Sequence, residues 1–321
     1  VADHARVNAS LDLPIQREMS ITERRTSIPA LVLGWSLLLA ACGSPGSSTG
    51  ALAPPVQGGT AAVVDTPRVP NDGGRSSWTP SVDDTWQWQL NGTVHTSYAV
   101  RVYDIDLFDT PVATIDALKQ QQKVVICYFS AGSSESFRPD FSKFMAADLG
   151  NELNGYPQER WLDIRSTNVR AIMTARLDLA VQKGCTGVEP DNVDGFEPGN
   201  HSGFMFSASD QIGFNTFLAT AGHARNLAVA LKNDIAQIDA LAPSFDFAVN
   251  EQCHELGECA TYQTFTAMRK PVFNAEYAGE YTSPGAARDA LCIAARADRT
   301  RTLVLPLKLD DSFRFSCDGG S

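Results

Sequence analysis

The chain is short of positive charge. Its 26 Lys and Arg stand against 37 Asp and Glu, leaving a net charge of -11. Phosphates need a basic surface, so nucleic acid is not expected as a partner. Histidine is scarce too, with 5 in 321 residues and none at the end of an apolar run. The 7 cysteines contain no CxxC pair. Both shortages argue against zinc, and no metal is expected. No Gly-rich loop follows an apolar run. That removes the phosphate cradle of a nucleotide-binding sheet, and no cofactor is expected. No internal repeat or heptad run is present, and no apolar run is long enough to span a bilayer.

What is present begins with an address. The first Met is Met19, followed by Arg24, Arg25 and an apolar run from Ile28 to Ala41. A basic start, a short apolar stretch and a small-residue exit read as a signal peptide over residues 19–41. The exit, Leu39-Ala40-Ala41-Cys42, resembles the bacterial lipoprotein lipobox. That resemblance implies cleavage before Cys42, lipidation of Cys42 and a lipid-anchored protein at the cell envelope or surface. Residues 1–18 are read as upstream sequence outside the fold. Residues 42–77 are rich in Gly, Ser, Pro, Thr and Ala and bury too little to offset their ordering entropy, so a flexible linker is expected. One domain remains over residues 78–321, and a monomer is expected.

In that domain short apolar runs alternate with amphipathic stretches. The strand candidates are Trp86–Leu90, Val100–Asp106, Val124–Phe129, Arg160–Ile164, a run ending at Glu189-Pro190, Leu227–Leu231, Phe245–Val249, Val272–Ala275 and Thr302–Leu307. Helices are predicted over Pro111–Gln122, Asn168–Lys183 with Gly184 as cap, Asp210–Ala224 and Ala286–Ala297. Apolar strands separated by helices imply a parallel sheet covered on both faces. The predicted fold is a (β/α)8 TIM barrel of class α/β, with one of nine strand candidates outside the ring. An open doubly wound sheet is the rival.

A parallel barrel delivers every strand's C-terminal end to one face, where active sites sit. Gly187-Val188-Glu189-Pro190-Asp191-Asn192-Val193-Asp194 places three carboxylates within six positions. Pro190 cannot donate to a ladder, so the strand is predicted to end there. Other tips supply Asp104, Asp106, Asp163, Lys232, Asn250, Glu251, Glu276 and Tyr277. Any one carboxylate could cap a helix or bridge to an Arg. As a set they are costly to bury without a purpose. A carboxylate-lined mouth with aromatics such as Trp88, Tyr128 and Tyr277 suits glycoside hydrolysis. Divalent metal is the competing use of such a cluster.

These residues carry a resemblance. Trp88-Gln89-Leu90, Tyr103-Asp104-Ile105-Asp106, Val125 to Gly132, Glu159 to Arg165, Val188 to Asp194, Leu231-Lys232-Asn233, Val249 to Cys253 and Ala275-Glu276-Tyr277 run in order through residues 86–277. Together they resemble glycoside hydrolase family 114, the endo-α-1,4-polygalactosaminidase family. The resemblance implies a (β/α)8 barrel that hydrolyses α-1,4-linked galactosamine polymers, with Asp191 and Glu251 as catalytic pair. Glu189, Asp194 and Glu276 are further candidates. The remaining tip residues, Asp104, Asp106, Tyr128, Asp163, Lys232, Asn250, Tyr277 and Trp88, are expected to bind substrate. A cationic aminosugar polysaccharide suits an acidic groove. A non-catalytic surface protein holding the same polymer through that groove is the alternative.

Six cysteines follow Cys42. Cys253 with Cys259 and Cys292 with Cys317 are expected disulfides, since an exported chain permits them. Cys127, in a buried strand, is expected as a free core thiol.

Overall fold

The computed structural model describes residues 78–319. The signal, Cys42 and linker expectations lie outside the described residues. The chain opens with β1 (Trp86–Gln89), β2 (Val102–Asp106), α1 (Val112–Gln120) and β3 (Val124–Ser130). An insertion then carries β4 (Ser133–Glu135), β5 (Leu149–Leu153) and β6 (Tyr156–Leu162). Next come α2 (Thr167–Lys183), β7 (Gly187–Asp191), α3 (Ala208–His223), β8 (Ala228–Lys232), α4 (Ile238–Leu241) and β9 (Phe247–Glu251). The chain ends with α5 (Cys253–Leu256), α6 (Gln263–Ala267), β10 (Val272–Glu276), α7 (Ala286–Asp298), β11 (Thr300–Val304) and β12 (Phe315–Ser316).

Nine strands form one curled sheet in the order β1-β2-β3-β7-β8-β9-β10-β11-β12. All neighbours are parallel except β12, which runs antiparallel to β11. The fold is TIM-barrel-like, but among the described residues no ladder joins β1 to β11 or β12. Side chains and loop backbone bridge that gap. Trp86 Nε1 donates to the Arg301 carbonyl at 2.8 Å, Leu90 N donates to the Leu309 carbonyl at 3.0 Å, and Arg314 Nη2 donates to the Trp86 carbonyl at 3.1 Å.

Arg160–Ile164 is the strand candidate outside the ring. It falls on β6, in a separate antiparallel sheet ordered β4-β6-β5. Only its Trp161-Leu162 end is buried within the strand, so it lacks the two apolar faces a central parallel strand needs. Helix α2 starts one residue earlier than predicted. Ser166 Oγ accepts from Val169 N at its start, and Gly184 at φ 86° closes it in the left-handed conformation.

Strand alternation separates two cores. Trp86, Val102, Val124, Ile126, Ala228, Ala230, Phe247, Val249, Phe273, Ala275 and Leu303 pack together inside the curl. Residues of opposite parity, such as Tyr103, Ile105, Val125 and Cys127, pack with Ile172, Leu177 and Phe214 of the helices. Cys127 is therefore on the helix side, and it is bonded to Cys185. The free-thiol expectation is wrong. Thr186 N donates to the Val125 carbonyl at 2.7 Å, which brings Cys185 alongside β3. Cys253–Cys259 and Cys292–Cys317 form as expected. Among the described residues no helix is long and apolar enough to cross a membrane.

Candidate active site

The inward positions change character toward the strand ends. Below, they are Trp, Val, Ile, Ala and Phe. Two residues further along each strand, the same parity gives Trp88, Asp104, Tyr128, Glu189, Lys232, Glu251 and Tyr277, with Asp191 beyond Glu189.

Three of these tips turn in the same way. Asn192, Asn233 and Gln252 follow Asp191, Lys232 and Glu251 with φ of 59°, 47° and 63°. A left-handed residue ends the strand abruptly and, among residues with a Cβ, is tolerated best by Asn and Asp. Such strain collects at functional sites. Strand β7 runs through Pro190 to Asp191, one residue past the predicted end. The Asp191 carbonyl accepts from Ala131 N at 2.8 Å and Gly132 N at 3.0 Å, on the β3 side. By alternation Pro190 faces β8, where pairing stops at Val188, so its missing N–H costs no ladder bond. Gly132 permits this approach, since a Cβ there would lie 1.7 Å from the Asn192 carbonyl oxygen.

Lys232 organises the cluster. Its Nζ lies 2.9 Å from Glu189 Oε1, 3.2 Å from Asp191 Oδ1 and 3.3 Å from Glu251 Oε2. Two oxygens at 3.2 and 3.3 Å from one nitrogen can be no more than 6.5 Å apart, so Asp191 and Glu251 face each other. The side chains of Lys232 and Glu189 are 2% and 0% exposed, whereas those of Asp191 and Glu251 are 17% and 29% exposed. These two carboxylates are thus the members of the cluster within reach of a solvent-borne ligand. Burial alone would strip the Lys232 proton, but Asp191, Glu189 and Glu251 outweigh it and hold its pKa well above normal.

Two tyrosines fix the acids from their other side. Tyr128 donates to Asp191 Oδ2 at 3.1 Å, and Tyr277 donates to Glu251 Oε1 at 2.6 Å. Burial, reinforced by those carboxylates, raises both phenols well above the usual value, so they remain donors. Asn192 N donates to Asp191 Oδ1 at 2.7 Å, and Glu251 N donates to Asn233 Oδ1 at 3.1 Å. Trp88 is buried with its ring 4.7 Å from Lys232 Nζ, which makes it a wall of the cluster.

Other predicted site residues lie elsewhere. Asp106 is buried against Arg138, which also holds Glu135, and caps the turn at Phe108 and Asp109. Asp163 pairs with Arg165 at 2.8 Å, beyond the end of β6. Asp194 lies in the β7–α3 loop, where its charge acts on Asp234. Asn250 and Glu276 have outward parity. Asn250 bonds Tyr262 Oη at 2.7 Å and accepts from Cys253 N at 3.0 Å. Glu276 accepts from Asn274 Nδ2 and His254 N, both at 2.9 Å, and so caps α5.

The sequence reading singled out neither Tyr156 nor Glu159. Tyr156 on β6 is 53% exposed, and its hydroxyl is raised by burial and then by the charges of Glu251, Glu159 and Asp191. Glu159 accepts from Ser133 Oγ at 2.9 Å and is pushed up to about 7 by burial, then by Glu135. An exposed aromatic and a carboxylate of the small sheet thus lie near enough to the paired acids to feel their charge. Among the described residues Cys253, His254 and Cys259 bring ligand-type atoms within 4.8 Å of one another. Both sulfurs are spent in a disulfide, and metal ligation needs thiolates.

The glycoside-hydrolase family GH114 matches residues 68–321. A crystal structure of Aspergillus fumigatus Ega3 in complex with galactosamine is 41% identical with a TM-score of 0.71, over 77% of this chain and 100% of that one. The glycoside hydrolase domain of PelA from Pseudomonas aeruginosa shares the fold at a TM-score of 0.54 and 15% identity, over 71% of this chain and 96% of that one. No curated protein matches the sequence.

Proposed function

The chain belongs to glycoside-hydrolase family GH114, and from that premise we propose that it cleaves α-1,4-linked galactosamine polysaccharide internally, using Asp191 and Glu251. The observation that carries this reading is their shared contact with Lys232, which keeps their facing oxygens within 6.5 Å. Carboxyl groups about 5–5.5 Å apart act by double displacement with retention, whereas inversion needs roughly 6.5–9.5 Å to admit a water. The observed limit supports retention.

In that mechanism the Asp191 carboxylate attacks the anomeric carbon while Glu251 gives its proton to the departing glycosidic oxygen. A glycosyl ester on Asp191 results. Glu251, now a carboxylate, takes a proton from water, whose oxygen attacks the same carbon and releases Asp191. Tyr128 and Tyr277 hold the two carboxylates for this exchange. The galactosamine bound to the similar Ega3 structure supports an aminosugar ligand, whose ammonium groups suit a mouth of Asp191, Glu251 and Glu159.

The test is incubation of the protein with polygalactosamine and with galactosaminogalactan, reading product sizes by mass spectrometry and anomeric configuration by NMR. Asp191→Asn and Glu251→Gln are each expected to lower kcat by about 10³-fold or more. Wild-type hydrolysis by both variants would sink the assignment. Binding without cleavage by the parent would favour a polymer-holding role. Export with lipidation at Cys42 belongs to the same proposal and is supported by three disulfides, which persist in oxidising compartments. An unmodified Cys42 in the N-terminal peptide of the mature protein would remove the lipid anchor.

A further inference from the structure

An ammonium group has three N–H donors. Lys232 Nζ donates one to Glu189 Oε1 at 2.9 Å and holds Asp191 and Glu251 as ion pairs at 3.2 and 3.3 Å. A fourth carboxyl, Asp104, faces the same cluster and receives none. It is 0% exposed, and neither of its oxygens has a hydrogen-bond donor; Glu189 Oε2 is in the same condition. The two carboxyls lie within hydrogen-bond reach of each other. Both belong to inward positions, Asp104 beside Ile126 on β3 and Glu189 beside Tyr128. As two carboxylates they would leave three oxygens with nothing to accept, and would set like charges together in a dry interior.

One proton removes the repulsion and gives Glu189 Oε2 a donor, leaving a single Asp104 oxygen without one. We propose that Asp104 is held as a neutral acid that donates to Glu189, and that this pair fixes Lys232 as the positioning group beneath Asp191 and Glu251. The groups around Lys232 agree. From β1 comes the neutral Trp88 ring and from β3 the Tyr128 ring, while Tyr277, just past β10, donates its hydroxyl to Glu251. From β2, β7 and β9 come the four carboxyls. Lys232 is the cation acting on both Asp104 and Glu189. Burial, then the Glu189 charge, pushes the Asp104 carboxyl well above its usual range. Glu189, opposed by Lys232, rises to about 7. With a donor committed to Glu189, Lys232 does not swing toward substrate when Asp191 becomes an ester. Lys232, expected from sequence to bind substrate, acts through the acids instead.

The assignment of roles rests on the hydrolase reading, so one arm of the test does not use activity. Infrared difference spectra of the intact parent against its Asp104→Asn variant at neutral pH are expected to show a carboxylic acid band present in the parent alone. Absence of that band from the parent overturns the proposal, whether or not any variant folds. In the kinetic arm, Asp104→Asn keeps an N–H donor toward Glu189 and is expected to lose less kcat than Asp104→Leu, which keeps none. Glu189→Gln frees Lys232 and is expected to lower kcat about 10²-fold with KM little changed. Equal losses in Asp104→Asn and Asp104→Leu would also overturn it. A parent that shows the band but hydrolyses no aminosugar polymer leaves the proton pair standing and removes the hydrolase reading.

Discussion

Asp234 carries a testable consequence of burial at a single residue. It follows the β8 tip with φ 49°, is 1% exposed, and accepts from Asn215 Nδ2 at 2.8 Å while its Oδ1 has no partner. Burial, then the charges of Asp194 and Glu197, pushes its carboxyl up to about 8. An acid whose folded pKa exceeds its unfolded value binds protons more tightly when folded. Its contribution to stability is therefore greatest in acid and is lost as pH rises from about 4 to about 8. Asp234→Asn removes that titration. Thermal melts are expected to show the variant stabilised by roughly 1–3 kcal/mol at pH 8 relative to the parent, with the gain vanishing near pH 4. A gain independent of pH would refute the raised pKa. The same residue-by-residue logic shows what the sequence disclosed about the site. The acids at strand tips were legible, because Glu189, Asp191 and Glu251 end apolar runs. Their facing follows from period 2, which places Glu251 and Tyr277 inward but Asn250 and Glu276 outward, yet the sequence reading takes all four as site residues. The place of Asp106 was not legible. It shares the parity of Asp104, and what removes it from the cluster is Arg138, a loop residue with no pattern to announce it.

Among elements, the disulfides divide stability from catalysis. Cys127–Cys185 joins β3 to the turn before β7 across 58 positions, and Cys253–Cys259 closes 6 positions directly after Glu251. Loop-closure entropy makes the long bridge worth about 4 kcal/mol and the short one roughly 2 kcal/mol. The short bridge, however, pins the start of α5, two residues past Glu251 and held by Asn250 and Glu276, to Cys259 beyond that helix. Replacing Cys127 and Cys185 by Ala is expected to cause the larger fall in Tm while kcat at 25 °C is retained. Replacing Cys253 and Cys259 by Ser is expected to reverse that ranking, lowering kcat severalfold for a smaller loss of Tm. Equal kcat in the two double variants would separate the α5 loop from catalysis. Elements with local signals, such as α2 between Ser166 and Gly184, were readable in the sequence. The small sheet was not, because Gln158, Glu159 and Arg160 lie outside the core and give no apolar period. Tyr156 and Glu159 reach the site only through antiparallel pairing of β6 with β4 and β5, a long-range fact with no local mark.

For the whole molecule, charge acts at two depths that salt distinguishes. On the proposed function, the net charge of -11 and the partly exposed carboxylates at the mouth would draw a polycation through solvent, where ions screen. The Debye length shrinks from about 10 Å at 0.1 M to about 3 Å at 1 M. The Lys232 cluster lies inside the curled sheet with Glu189 fully buried, where screening is weak. Attraction and catalysis should therefore part company. For a deacetylated galactosamine polymer, kcat/KM is expected to fall about tenfold between roughly 0.05 and 1 M NaCl, while kcat at saturation stays within about twofold. N-acetylation neutralises the polymer, so the salt dependence of kcat/KM should flatten as acetyl content rises. Initial rates on a series of graded acetylation measure both effects. If kcat itself fell with salt, the carboxylates that matter would be those at the surface, and the buried cation would not be what holds Asp191 and Glu251. If the slope ignored acetylation, the acidity of the protein would serve its solubility, and recognition of the sugar would rest on shape and on the aromatic rim at Tyr156.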